Sequence, residues 1–139
     1  MTYNGLSPKT YGGFESVEDN RWRKNREGMG YSGQNLTLVI DEAAKAEGDH
    51  RLGRWLKSGV PIYRDEDNKG HIFTADAKTA GSVIVGFLQG AVEIADRDGV
   101  FYDQVSTVGI QTAGEIYPQW LPVDVAAEDI PARFGVSPL

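Results

Sequence analysis

The chain has 139 residues, no cysteine and a formal charge of −6. That length suits one domain whose core needs no staples, and without cysteine neither disulfides nor thiolate chemistry enter. The acid is concentrated: residues 1–30 carry five basic and four acidic side chains, and the remaining 109 carry nine and sixteen. Such a body repels phosphate backbones, so nucleic acid is not an expected partner.

Residues 1–35 differ from the rest. They hold six glycines and the aromatics Tyr3, Tyr11, Phe14, Trp22 and Tyr31, but only Leu6 and Val17 as branched aliphatics. No helical or strand period runs through them, and so little apolar area does not offset chain entropy. The segment reads as an extended N-terminal arm whose aromatics anchor on a surface the chain does not itself supply. The plainer alternative is a segment lying back on its own domain. Within it, "RWRKNR" (residues 21–26) sets four cations around Trp22, a pattern that suits docking on an acidic protein surface with the indole as anchor. Protein is preferred over a single nucleic-acid strand because Glu15, Glu18, Asp19 and Glu27 flank the cations. No apolar leader opens the chain and no apolar run approaches a membrane span, so no membrane contact is expected.

A β-rich domain with a Pro-rich C-terminal segment is expected over 36–139. "LTLVID" (36–41) reads as a strand, and the Ala-rich start of 42–59 allows one helical turn limited by Gly48, Gly53 and Gly59. "VPIYRD" (60–65) and "HIFTAD" (71–76) read as two short strands. "GSVIVGFLQGAVEI" (81–94) reads as one long strand or a pair, bent at Gly86 and Gly90, with Ile62, Val83, Val85, Phe87, Leu88 and Ile94 in the core. "RDG" (97–99) is a turn. Residues 100–117 are strand-like, broken by Gly109 and Gly114, and the tail after Pro118 admits one helical turn near 124–129. Short strands without a long amphipathic helix predict a mainly β fold, a small β-barrel or sandwich.

The run "DEDNKG" (65–70) approaches a calcium loop, with Asp65, Asp67 and Gly70 at its first, third and sixth places. Lys69 stands where a ligand oxygen belongs, Asp76 is shorter than the bidentate Glu, and the flanks are strands. The run therefore predicts a hairpin turn, with Asn68 and Gly70 free to take positive φ, and no metal. His50 and His71 are the only histidines, and no nucleophile elbow or phosphate-cradling glycine motif occurs. The acidic pairs Asp41/Glu42, Asp96/Asp98 and Glu128/Asp129 read as solvated surface. No catalytic residue and no cofactor is expected.

The order "SGVPIYRDEDNKGHIFTADAKTAGSVIVGFLQGAVEI" followed by "VSTVGIQTAGEIYPQWLP" resembles the head decoration proteins of tailed bacteriophages, the small capsid-stabilising type related to the phage lambda decoration protein. The likeness covers about residues 36–122. It rests on Gly59, Val60, Pro61 and Ile62, on Gly86, Phe87 and Leu88, and on Gly114, Glu115 and Ile116. The resemblance implies a small β-rich core, a homotrimer on the outer surface of the virion, and clamping of the major capsid protein with no reaction and no cofactor. The arm would then carry the capsid contacts, through Tyr11, Phe14, Arg21, Trp22, Arg23 and Arg26. The alternatives are a carbohydrate-type binding barrel with Trp55, Tyr63, Tyr102, Tyr117 and Trp120 as its platform, a tail or baseplate structural protein, and an enzyme with an unrecognised site.

Overall fold

The computed structural model of the chain describes residues 10–11, 14–15, 17–23 and 32–136. In chain order these give β1 (Thr10–Tyr11), β2 (Phe14–Glu15), β3 (Ser32–Val39), α1 (Glu42–Lys45), β4 (Arg51–Leu52), β5 (Trp55–Leu56) and β6 (Pro61–Arg64). There follow β7 (Gly70–Ile72), α2 (Ala75–Thr79), β8 (Gly86–Leu88), β9 (Val92–Glu93), β10 (Gln104–Ile116) and β11 (Phe134–Val136). Two single 3₁₀ turns, Pro118–Trp120 and Ala127–Asp129, lie between the last two strands. The fold is mainly β, as the short apolar runs predict. Among the described residues no helix is long and apolar enough to cross a membrane.

Five strands pair in a circuit. β3 lies antiparallel to β10 and parallel to β7, β7 antiparallel to β6, β6 antiparallel to β8, and β8 antiparallel to β10. β11 adds in parallel at the far end of β10, with Gly114 opposite Phe134. A separate three-stranded sheet has the order β4-β5-β9. The circuit encloses the larger core cluster, which draws Leu36 and Leu38 from β3, Ile62 from β6, Ile72 from β7, Leu88 from β8 and Ile110 from β10. Residues two apart on a strand share a face, which is why Leu36 and Leu38 point in together. Gly86 permits the circuit to close: a Cβ there would stand 2.5 Å from the Gln111 carbonyl oxygen, so only glycine lets β8 approach β10 this nearly.

A second apolar cluster covers the outside of β8 and β10. It contains Trp22, Ile84, Phe87, Ile116, Leu121, Ile130 and Phe134. Phe87 and Leu88 are adjacent, so one faces each cluster. The Pro-rich tail is therefore a second layer over the sheet. Its Arg133 donates to the carbonyls of Thr112 (2.6 Å) and Val85 (2.5 Å), tying β10 to the entry of β8.

The sequence reading is corrected at several places. Val83, expected in the core, is 71% exposed, while Ile84 is buried; the chain enters β8 one residue out of the assumed phase. "TAD" (74–76), expected to end a strand, instead supplies the N-cap and the first residues of α2. Thr74 caps that helix by accepting from the Ala77 N–H at 3.2 Å, the usual N-cap use of a threonine hydroxyl. β10 runs unbroken through Gly109 and Gly114, and its irregularities fall between Val105 and Val108 and between Gln111 and Ala113. The domain also starts before residue 36, since β3 begins at Ser32 and residues 17–23 pack on the body.

Gly59 is fixed twice over. Its φ is +92°, and a Cβ there would lie 2.9 Å from both the Trp22 ring and Pro122. Gly59→Ala is expected to cost about 2–4 kcal/mol, combining a left-handed backbone with overpacking. Urea unfolding of the variant checks this, and an unchanged midpoint would contradict it.

Candidate functional site

The cation-and-tryptophan run is the first candidate, and the structure divides it. Trp22 has no exposed surface. Its indole N–H donates to Ser58 Oγ at 3.0 Å, its carbonyl accepts from Tyr117 N at 2.6 Å, and its ring lies 5.7 Å from Phe87. Arg21 forms an ion pair with Asp19 at 2.5 Å and sits 4.4 Å above the Trp120 ring. Arg23 donates to the Gln89 carbonyl at 3.0 Å and to Gln111 Oε1 at 3.5 Å, and its backbone bridges to Ile116. Val17 accepts from Ser58 N at 2.8 Å. Trp22 is thus corrected from a partner's anchor to a core residue of its own chain, because a fully covered indole has no face left for a partner. Arg21 and Arg23 serve the same internal docking. Tyr11 and Phe14 are opposite one another in the β1–β2 pair, and their side chains lie outside the description. Arg26 lies outside the described residues.

The second candidate surrounds His71 on β7. Its Nδ1 lies 2.9 Å from Asp41 Oδ2 and its Nε2 lies 2.7 Å from Asp65 Oδ2. The Tyr63 ring stacks on it at 5.2 Å with a 17° interplanar angle. Each carboxylate has a second duty. Asp41 Oδ1 caps α1 by accepting from Ala44 N at 3.0 Å. Asp65 Oδ1 accepts from the N–H groups of Asp67 (2.8 Å) and Lys69 (3.0 Å) and so holds the hairpin turn. Asn68 takes φ +63°, as the turn reading requires, whereas Gly70 is an ordinary strand residue.

The calcium-like run forms the hairpin turn between β6 and β7, and both oxygens of Asp65 accept protein hydrogen bonds within it. Among the described residues no group of three His, Cys, Asp or Glu is placed to hold a metal. The arrangement also favours an imidazolium. Burial pushes the His71 ring down, but the hydrogen bonds and charges of Asp65 and Asp41 outweigh it and raise its pKa. The His71 bond in turn lowers the Asp65 carboxyl. An imidazolium with both N–H groups directed at carboxylates has no lone pair with which to act as a base. Its physical effect is to clasp α1, the 65–69 turn and β7 together. His50 behaves oppositely: burial lowers its pKa, and its Nε2 lies 3.3 Å from the Ala44 carbonyl.

The five aromatics of the carbohydrate platform fall into separate settings, with Tyr117 and Trp120 in one 3₁₀ turn. Trp55 pairs across the small sheet with Glu93, and the Tyr102 hydroxyl also reaches Glu93 at 3.4 Å. Tyr63 stacks on His71, and Trp120 lies under Arg21. Two concavities flank these places. One, of about 830 Å³, is lined chiefly by apolar groups of α1, α2 and the 123–129 segment, with His50 and Lys78 at its edge. The other, of about 660 Å³, lies between residues 89–93 and 102–109. Sequence reasoning missed both: the first is lined from segments far apart in the chain, and the second, though local, depends on how β9 and β10 are placed. Comparison with protein-family models, with characterised proteins and with solved structures gives no match.

The clasp predicts a pH dependence whose sign is fixed. A folded-state pKa raised above 6.5 means that the His71 contribution is fully present below pH 6.5 and is lost as pH rises through the folded value. The lowered Asp65 contribution is present above pH 3.8 and is lost as pH falls through its folded value. His50 acts against His71, losing stability as pH falls below 6.5. The urea midpoint of the native chain minus that of His71→Gln is therefore expected to shrink as pH rises above 6.5. A difference that stays constant with pH would contradict the clasp.

Proposed function

We propose that the chain is a structural virion protein that binds the outside of a tailed-phage capsid as a trimer and stabilises the shell against the pressure of packaged DNA. Three segments carry the family resemblance, and their placement is the observation that supports this reading most. Gly59–Ile62 leads into β6, Gly86–Leu88 is β8, and Gly114–Ile116 ends β10. β6 pairs with β8 through Pro61 opposite Phe87, and β8 pairs with β10 through Phe87 opposite Gln111. The first two segments are thus paired neighbours in the strand circuit, while Gly114–Ile116 pairs with β11 and joins the second through the apolar cluster that holds both Phe87 and Ile116.

The capsid contact is assigned to the part of the chain that precedes Val17, together with Arg26. Trp22 holds residues 17–23 to the body, so the arm proper departs from a fixed point. The β1–β2 pair joins no other described strand. A trimer would present three such arms to one capsid site, and linked weak contacts then act together. Such a clamp requires neither cofactor nor reaction.

Intact particles labelled with an antibody to this chain are expected to show a regular pattern over the head in electron microscopy. The variant Tyr11→Ala/Phe14→Ala/Arg26→Ala is expected to keep its unfolding midpoint and a solution mass three times the 15.2 kDa of the chain. Its affinity for heads should fall about tenfold or more. Label confined to tails, or undiminished head binding by the variant, would overturn the proposal.

A further inference from the structure

The groove between residues 89–93 and 102–109 carries a strained residue that the core does not explain. Along β10, Val105 pairs with Leu38 and Val108 pairs with Leu36. Three steps on one strand oppose two on the other, which is a bulge with one extra residue. Val105 and Val108 both pack toward the larger core as a result. Ser106 and Thr107 are left as adjacent hydroxyls, both exposed. Thr107 has φ +58°, a left-handed conformation costly for a β-branched side chain. Glycine would make the same bulge without that cost. Since Thr107 is exposed, the strain is not repaid by burial of its side chain, and a strained residue at a groove is a reason to look for a ligand there.

The surroundings fit one ligand chemistry. Tyr102 forms part of the wall, 37% exposed, with its hydroxyl 3.4 Å from Glu93 Oε1. Glu93 is itself paired with Arg54 at 2.8 Å, so its charge is already offset. Gln89 and Gln104 contribute amides, and the Gln104 oxygen accepts from Lys69 Nζ at 3.3 Å. The Gln89 amide lies over Gly33 and Gly109, where a Cβ would come within 2.5 Å and 2.8 Å of it. Amides and hydroxyls both donate and accept, which suits a ligand whose own groups do both. The bulge interrupts the strand edge and so disfavours addition of a peptide strand.

We infer that this groove, formed by Tyr102, Gln104, Ser106, Thr107, Gln89 and Glu93, binds a neutral carbohydrate. The C–H face of a pyranose ring stacks on Tyr102, and its hydroxyls bond to the amides and to the paired hydroxyls of the bulge. The groove is wide and open, so a bound ring keeps one face in solvent. The inference is independent of the capsid proposal and would give a head-bound protein an outward-facing hold on glycans.

The test is an NMR titration of the full ¹⁵N-labelled chain with methyl glucoside, methyl galactoside, methyl mannoside and N-acetylglucosamine, with inorganic phosphate as a charge control. At least one sugar is expected to shift the amide signals of residues 89–93 and 102–109. Tyr102→Ala should weaken that sugar about tenfold with the other signals unmoved. Thr107→Gly should weaken it too while raising the urea midpoint. Shifts elsewhere only, shifts with phosphate only, or no shift with any sugar would overturn the inference. So would a Thr107→Gly variant of lower stability, because the strained residue would then be held for folding.

Discussion

The burial of one indole organises this molecule. Trp22 sits between the strand circuit and the C-terminal layer, and each neighbour is shaped for it. Ser58 receives its N–H, Gly59 leaves room for its ring, and Phe87 meets it at 5.7 Å and is itself met edge-on by Phe134 at 5.2 Å. A tryptophan of this kind contributes several kcal/mol through buried area. That is enough to order the short polar segment 17–23, which has little apolar surface of its own. The arginines beside it follow from the same constraint: once the backbone is pinned at Trp22, Arg21 and Arg23 fall over Trp120 and the Gln89 carbonyl.

The mainly β character was legible from the sequence, and for local reasons, whereas the order in which the strands pair was not. Alternation in "LTLVI", the turn "RDG" and the turn "DNKG" are all written within a few residues of where they act. Trp22 was not legible in this way. Its hydrogen-bond partner Ser58 is 36 residues away, and the cations around it suggest a surface. Val83 and Ile84 are equally apolar, so only the register of β8 decides which is buried. α2 was hidden because "HIF" and "TADAKT" run together, although Thr74 followed by Ala77 is a short capping signal. Thr107 is a good strand former, and nothing local announces that a bulge would drive it to positive φ.

The same contrast applies to the candidate sites. The acidic loop could be read as a hairpin turn from its flanking strands and Asn68, but the use of its Asp65 could not be foreseen. Asp65 and Asp41 meet on His71 only because β3 and β7 lie side by side, with Leu38 opposite Gly70. The result is an internal clasp whose strength follows protonation, set apart from the groove at Tyr102.

The division of the N-terminal segment into a docked portion and a preceding arm is the claim on which this account depends. The most direct test compares urea unfolding of a chain beginning at Val17 with one beginning at Ser32. The account expects the first to unfold at the midpoint of the full chain and the second to be severely destabilised or unfolded. Equal midpoints for the two would show that Trp22 and its neighbours add nothing to the domain, and would contradict it.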